Sequence, residues 1–266
     1  MGKEVKKIKI IQWNIGGGKI RKESNDAMGA ENYKYEGIDY IVDKLKSYNP
    51  DIITLQETHA NNKFVQAEFL SKKLNLPYFF NDIYDHSHIE SAQELGQAII
   101  SRFPLNNHSF EFFINPKLKI TRLNGEEWTT HNKGISTCVV KINNNFKLYI
   151  QTLHLVPFSS FGTKPLSRKL KGIRTSISDK VLKNKSPFIL QGDFNYNNDS
   201  IKKFLPGIFT QKMKEVRLSN PTTPKGRKYD HVIYRGLRVS SFKIDDNILT
   251  DHYLLYAELE IEQIVL

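Results

Sequence analysis

Apolar and polar positions along the chain fall into short blocks whose period changes. Ile8-Lys9-Ile10-Ile11-Gln12-Trp13-Asn14 alternates and then turns apolar, which predicts a strand. Residues 37–48 set Ile38, Ile41, Val42 and Leu45 on one helical face, and Asn49-Pro50 stops that helix. Residues 51–56 predict a second strand, ending in Glu57. A helix over 62–74 would turn Phe64, Ala67, Leu70 and Leu74 inward. Strand patterns follow at 97–101, 109–114, 134–141 and 146–153, the last two joined as a hairpin at Asn143-Asn144-Asn145. Residues 115–133 between them are a polar loop. Helical spacing of Leu166, Leu170, Ile173, Ile177 and Val181 predicts a helix over 165–182. Pro187-Phe188-Ile189-Leu190 is a short buried strand. A brief helix is expected at 201–205, ended by Pro206, and strands at 229–234, 237–244 and 252–261 close the chain. Helices and strands alternate early, and strand pairs dominate later. One α/β domain over residues 1–266, built on two sheets, fits this order.

Composition bounds the partners. Of 266 residues, 39% are hydrophobic and 11% aromatic, enough for a substantial core. There is no apolar run near the ~20 residues of a membrane span. The N-terminus has basic residues but neither an apolar signal region nor a small-residue cleavage site, so a cytoplasmic protein is expected. The single cysteine, Cys138, sits in an apolar run and is expected to be a buried small hydrophobe. No cysteine cluster offers a zinc site. A net charge of +11 favours polyanions such as nucleic acid, phosphorylated ligands or anionic membranes. The excess is mostly lysine in a chain also rich in Asn and Ile, so it changes the picture only mildly.

Several polar clusters fail as sites. Gly16-Gly17-Gly18-Lys19 is not a P-loop, because that spacing needs Gly at Trp13 and Ser or Thr at Ile20. A flexible loop to about Tyr35 is expected, whose Lys19, Arg21 and Lys22 could meet a phosphate. Gly134-Ile135-Ser136-Thr137-Cys138 lacks the last glycine of a nucleophile elbow. His86 and His88 are expected in a solvated loop, and His59 suits either the pocket or the surface.

A different pattern carries chemistry: polar residues recur where apolar strands end. Asn14, Glu57 and His154 each follow an apolar run, Asp193 and Asn195 follow Ile189-Leu190, and Asp230 and Asp251-His252 open strands. Asp193 and Asn195 follow a break at Gly192, and in an extended segment residues i and i+2 share a face. A carboxylate beside a carboxamide suits a reaction that orients a water and holds an oxyanion, although Gly, Asp and Asn also make ordinary turns. Ends rimming one sheet edge could converge on one pocket.

The ordered set Gln12-Trp13-Asn14, Leu55-Gln56-Glu57-Thr58, Gly96-Gln97-Ala98-Ile99-Ile100-Ser101-Arg102-Phe103-Pro104, Thr152-Leu153-His154-Leu155, Gly192-Asp193-Phe194-Asn195, Tyr229-Asp230-His231-Val232 and Thr250-Asp251-His252 resembles the endonuclease/exonuclease/phosphatase superfamily over roughly residues 8–261. The resemblance implies a DNase I-like four-layer α/β/β/α sandwich of two packed mixed β-sheets flanked by helices. It also implies a divalent metal at the rim, Mg²⁺ with Mn²⁺ as an alternative, on Glu57 with Asn14 and Asp251 beside it. By the same resemblance Asp193 deprotonates the attacking water and Asn195 donates to a phosphoryl oxygen. His252 contacts the phosphate, oriented by Asp230. His154 binds phosphate or protonates the leaving group, and it places the chain with the histidine-containing members, not with the abasic-site nucleases. A glutamate pairs with this histidine in DNase I-like members, and Glu94 is the candidate here, with Glu90 as the other choice.

The expected function is a metal-dependent phosphodiester hydrolase, a nuclease on DNA or RNA, acting as a monomer. Arg168 and Arg174 on the basic 164–174 segment are expected to contact substrate phosphates. The alternative substrate is a small phosphorylated molecule or lipid headgroup, such as an inositol phosphate or sphingomyelin. A nucleic-acid-binding member without activity would have lost one of Glu57, Asp193, Asn195, Asp230 or His252, and all five are present.

Overall fold

A computed structural model describes residues 7–23, 32–121, 125–144, 146–210 and 212–261. The loop expected toward Tyr35 falls partly outside these, at 24–31, as does Asn145 of the expected hairpin turn.

Two six-stranded sheets form the centre. In the first, the order is β15 (Leu237–Asp245), β16 (Leu254–Ile261), β1 (Lys7–Asn14), β4 (Ile52–Ala60), β6 (Glu94–Ser101) and β5 (Tyr78–His86). In the second it is β13 (Lys214–Glu215), β14 (Asp230–Arg235), β12 (Phe188–Asp193), β11 (Phe146–His154), β10 (Gly134–Asn143) and β7 (Leu105–Phe112). Each sheet is antiparallel except for one parallel pair, β1 with β4 and β11 with β12. Helices α1 (Ile38–Tyr48) and α2 (Gln66–Leu74) cover the first sheet, and α3 (Lys171–Asp179) covers the second. Two short hairpins, β2 (Lys19–Ile20) with β3 (Tyr35–Glu36) and β8 (Lys119–Thr121) with β9 (Glu127–Thr129), lie at the periphery. The four layers are those expected. No helix among the described residues is long and apolar enough to cross a membrane.

Period-two alternation sorts the side chains. On β1, Ile11 and Trp13 pack outward with Ile41 and Leu45 of α1, while Ile8 and Ile10 pack between the sheets. Ile52 of β4, Ile150 of β11 and Ile189 of β12 join that inner layer. The same inner positions turn polar further along each strand, as Ile8, Ile10, Gln12, Asn14 on β1 and Ile189, Gln191, Asp193 on β12. The inner layer is therefore aliphatic at one end and polar at the other.

Buried amides knit the polar end across the two sheets. Gln12 Nε2 donates to Asp230 Oδ1 at 2.7 Å, and Gln56 Nε2 to Thr152 Oγ1 at 2.8 Å. Gln97 Nε2 reaches Ser136 Oγ at 2.8 Å and the Thr152 carbonyl at 3.0 Å. Gln191 Nε2 returns from the second sheet to Thr54 Oγ1 at 2.7 Å and the Ile11 carbonyl at 2.9 Å.

Some elements differ from the sequence pattern. The helix expected at 165–182 is helical as α3 only from Lys171 to Asp179, after a 3-10 turn at Arg168–Leu170. Arg174 Nη1 donates to the Pro165 and Ser167 carbonyls at 2.7 and 2.9 Å and holds the preceding segment as a loop. Residue 62 does not begin α2, because Asn61 Oδ1 accepts from the amides of Lys63 and Phe64 and fixes a turn, leaving Phe64 exposed. Residues 201–205 form turns, with Glu215 accepting from the Ile201 amide at 3.0 Å. Strand β5 has no pattern of its own: it is a sheet edge with polar Asn81, Asp82 and Asp85.

Candidate active site

The polar end of the inner layer opens into a cavity of about 170 Å³. Asn14, Glu57, His154, Asp193, Asn195, Asp251 and His252 all line it. Asp230 lies directly behind, fully buried. The strand-end residues thus converge as the sequence pattern suggested.

Local backbone geometry explains how. Glu57 follows the inward Gln56 and by alternation should face outward with Leu55. The β4–β6 register shifts between Gln56 and Thr58, and Glu57 sits in this bulge at φ 53°. A bulge with left-handed backbone costs energy and redirects a side chain, here into the cavity. At Gly192 a Cβ would stand 2.1 Å from the Leu153 carbonyl oxygen, so only glycine lets β12 pass β11 here. Asp193 and Asn195 share the cavity through a turn, not through extended alternation. Asn195 has φ 48°, and its amide donates to Asp193 Oδ1 at 2.8 Å. Its Nδ2 donates one hydrogen to the Leu155 carbonyl at 2.9 Å. The Gly16–Gly18 run is a buried 3-10 turn, not an open loop. A Cβ on Gly17 would stand 2.3 Å from the His59 ring, and the Gly16 amide donates to Asn14 Oδ1 at 3.1 Å.

Asp193 is the hub. Asn14 Nδ2 donates to its Oδ2 at 3.1 Å, and the same oxygen lies 3.5 Å from His154 Nε2 and 3.6 Å from His252 Nε2. Burial pushes its carboxyl up to about 7, His252 pulls the other way, and Asp230 adds to the rise. His252 Nδ1 meets Asp230 Oδ2 at 2.9 Å. Burial opposes charge on this ring, but Asp230, Asp193 and Asp251 outweigh it and hold its pKa well above the ordinary value. His154 goes the opposite way: burial, then Lys133 and His252, hold its pKa well below the ordinary value. It is a neutral imidazole near pH 7.

Carboxylates and cations alternate around the rest of the cavity. Burial would raise Glu57, but His88, Lys133, His252 and His59 hold it down. Burial raises Asp251; His252 opposes this, and Glu57 adds to it. Two carboxylates that repel across one cavity form a donor set for a hard divalent cation, so Glu57 and Asp251 fit the metal that the resemblance implies. Asn14 is beside them, with its amide committed to Asp193 and Gly16. The tightest acid–imidazole group among the described residues is another one: donor atoms of Asp193, Asp230 and His252 lie within 4.8 Å of one another. Its His252–Asp230 contact is already made.

Three expectations need correction. Glu94 does not pair with His154. Its carboxylate lies 3.5 Å from His86 Nδ1 and lines a separate depression. The Nδ1 of His154 instead meets Tyr84 Oη at 3.1 Å and Lys133 Nζ at 3.0 Å. Glu90, the other choice, pairs with Lys19 at 2.9 Å. Arg174 is occupied with the carbonyls of its own loop, while Arg168 is exposed on the 3-10 turn, away from the cavity lining. Lys19 and Arg21 hold protein groups: Lys19 bonds Glu36, and Arg21 is buried against the Ile248 carbonyl.

Lys133, His131, Trp128 and Phe161, which the sequence did not single out, line the cavity, and so does His88, which was expected only in a solvated loop. Trp128 of β9 packs on Phe161 with ring centres 4.5 Å apart and forms one wall. Lys133 carries no strand-end signal: pairing of Ile135 with Leu153 sets Gly134, not Lys133, opposite His154, and Lys133 reaches that ring from the residue just before β10.

Two mixed sheets, helices on both outer faces and a polar mouth at the strand ends define the DNase I-like fold. The chain belongs to the endonuclease/exonuclease/phosphatase family, whose model matches residues 11–252. Among solved structures, an endonuclease/exonuclease/phosphatase from Beutenbergia cavernae superposes with a TM-score of 0.72 at 15% identity, over 96% of this chain and 72% of that one. The human Nocturnin catalytic domain, solved with bound sulfate, gives 0.62 at 18% identity over 97% of each chain. A UPF0294 protein of Vibrio campbellii is 26% identical over 132 residues, 48% of this chain and 45% of its own length. The chain thus spans about half the length of the curated relatives it matches.

Proposed function

We propose that the protein is a divalent-metal-dependent phosphodiester hydrolase whose substrate is the backbone of DNA or RNA. The observation that carries this reading is the placement of Asp193, a buried carboxyl 3.6 Å from His252 Nε2 in the cavity that Glu57 and Asp251 line, where burial pushes it up to about 7. A base whose pKa matches neutral pH is suited to taking a proton from water. Asn14 fixes its orientation, and the Asn195 Nδ2 keeps a second hydrogen for a phosphoryl oxygen. His252, charged through Asp230, stabilises negative charge on that oxygen and can return a proton. His154, neutral, serves as a hydrogen-bonding partner of the phosphate and not as an acid. Mg²⁺ or Mn²⁺, held by Glu57 and Asp251 with Asn14 beside it, would supply positive charge at the phosphoryl and leaving oxygens.

A second depression of about 460 Å³, lined by Tyr196, Arg227 and Tyr229, supports the nucleic-acid reading. Tyr196 follows Asn195 and Tyr229 precedes Asp230, so it adjoins the site. Aromatic rings with an arginine suit stacked bases. The narrow cavity walled by Trp128 and Phe161 favours the second reading, a small phosphorylated molecule or headgroup such as an inositol phosphate or sphingomyelin.

A substrate panel with Mg²⁺ or Mn²⁺ tests both readings: plasmid DNA, single-stranded DNA, RNA, sphingomyelin, inositol phosphates and bis-p-nitrophenyl phosphate. Nucleic-acid cleavage abolished by EDTA is the expected result. Turnover of the small phosphates alone would replace the first reading by the second.

A further inference from the structure

Lys133 is a buried cation with unusual company. The residue is 5% exposed. Its Nζ lies 3.0 Å from Nδ1 and 3.3 Å from Nε2 of His154, and 3.4 Å from Tyr84 Oη. It also stands 4.6 Å over the Tyr84 ring centre. All of these partners are neutral: burial holds the Tyr84 hydroxyl far above its ordinary pKa and holds His154 far below. Among the described residues no carboxylate oxygen comes within 4.0 Å of Nζ. Burial strips water from an ammonium, and without an adjacent anion nothing in contact makes up for that loss. Burial accordingly lowers its pKa to about 8, while Glu57, Asp193 and Asp85 oppose this from a distance. The fold therefore holds a charge at a cost, and Lys133 lines the catalytic cavity.

We propose that Lys133 is a substrate ligand: its ammonium receives a non-bridging phosphoryl oxygen on the His154 side of the cavity, across from His252. The inference rests on the phosphoester reading of the cavity and adds to it a residue outside the strand-end motifs. Entry of a phosphate supplies the anion that the fold does not. The neutral His154 ring beside it then acts as a hinge point for the ammonium: Nζ leaves an imidazole lone pair for a charged oxygen, and Tyr84 stays in place as the cation–π seat. The competing role is purely structural, in which Lys133 only offsets the charge of Glu57.

The test compares the parent with Lys133→Met and Lys133→Arg. It reads three quantities: affinity for inorganic phosphate by calorimetry with Mg²⁺ present, affinity for Mg²⁺ alone, and kcat and KM on bis-p-nitrophenyl phosphate. A charge-assisted bond predicts that Lys133→Met weakens phosphate about 10- to 100-fold and lowers kcat/KM at least as much. Mg²⁺ affinity and the melting temperature should hold or rise, and Lys133→Arg should recover part of the phosphate affinity. Parent-like phosphate affinity in Lys133→Met overturns the proposal, and so does a loss confined to Mg²⁺ affinity. A parent protein that neither binds phosphate nor hydrolyses the ester overturns the phosphoester reading as well, which separates the two failures.

Discussion

His252 Nδ1 lies 2.9 Å from Asp230 Oδ2, while Gln12 holds the other oxygen of the same carboxylate at 2.7 Å. Asp230 is thus clamped between the imidazole it charges and an amide from the opposite sheet. Asp230→Asn keeps the shape and removes the charge that stabilises the imidazolium. Turnover of bis-p-nitrophenyl phosphate should fall by about 10²- to 10⁴-fold, with a parent-like circular dichroism spectrum. Turnover within a few-fold of the parent would remove His252 from the mechanism.

Glu57 occupies a backbone conformation that suits glycine, at φ 53°. Glu57→Gly removes the carboxylate and relieves the strain together, and Glu57→Gln removes only the charge. Both should abolish metal-dependent hydrolysis. The glycine variant should melt at or above the glutamine variant, by about 1 kcal/mol from the left-handed backbone. Equal Mg²⁺ affinity in parent and Glu57→Gln, by calorimetry, would refute the metal assignment.

Acid stability should depend on a pair remote from the cavity. Tyr48 Oη donates to Asp245 Oδ2 at 2.6 Å, and Lys44 Nζ lies 3.0 Å from the same oxygen, tying α1 to the end of β15. Burial alone would raise Asp245, but the Tyr48 and Lys44 contacts outweigh it and hold its pKa below the ordinary value. Because the folded pKa is the lower one, the stabilisation is present above the unfolded pKa, near pH ~4, and is lost as pH falls through the folded value. Urea melts should show Asp245→Asn about 1 kcal/mol less stable at pH 7, with the gap closing in acid. A gap that ignores pH would contradict this.

Gln97 offers a measure of the inter-sheet amides. It makes two bonds to the second sheet, and its Oε1 accepts none among the described residues. Gln97→Met loses both bonds but also removes a buried acceptor, and these effects partly cancel. The net cost should be about 1 kcal/mol in chemical denaturation, not the ~3 kcal/mol of a fully satisfied buried group.

The strands of the inner layer and the convergence of Asn14, His154, Asp193, Asp230 and His252 were legible because alternation is a property of adjacent residues. Glu57 was legible as chemistry but not as geometry, since alternation alone points it the wrong way and the bulge depends on pairing with β6. Glu94 failed because a pairing was carried over by position, whereas the space beside His154 had been filled by Tyr84 and Lys133. Tyr84 lies on an edge strand whose polar pattern gave no strand signal. Trp128, His131 and Lys133 fell in a stretch that looked like solvated loop, because their burial comes from Phe161 and from sheet pairing. The 164–174 charges looked like a binding face because spacing cannot say that Arg174 spends its guanidinium on two carbonyls.

The glutamine contacts between the sheets have a consequence for how this protein would fail. Apolar layers can slide and still stay compact, but Gln12, Gln56, Gln97 and Gln191 each specify one alignment. The cavity residues contributed by the two sheets meet only in that alignment. A molten form that kept every strand, with far-UV dichroism intact and near-UV dichroism lost, would have Asp193 and His252 on surfaces no longer in register. Activity would then vanish ahead of secondary structure, and hydrolysis would report side-chain order more sensitively than any spectrum of the backbone.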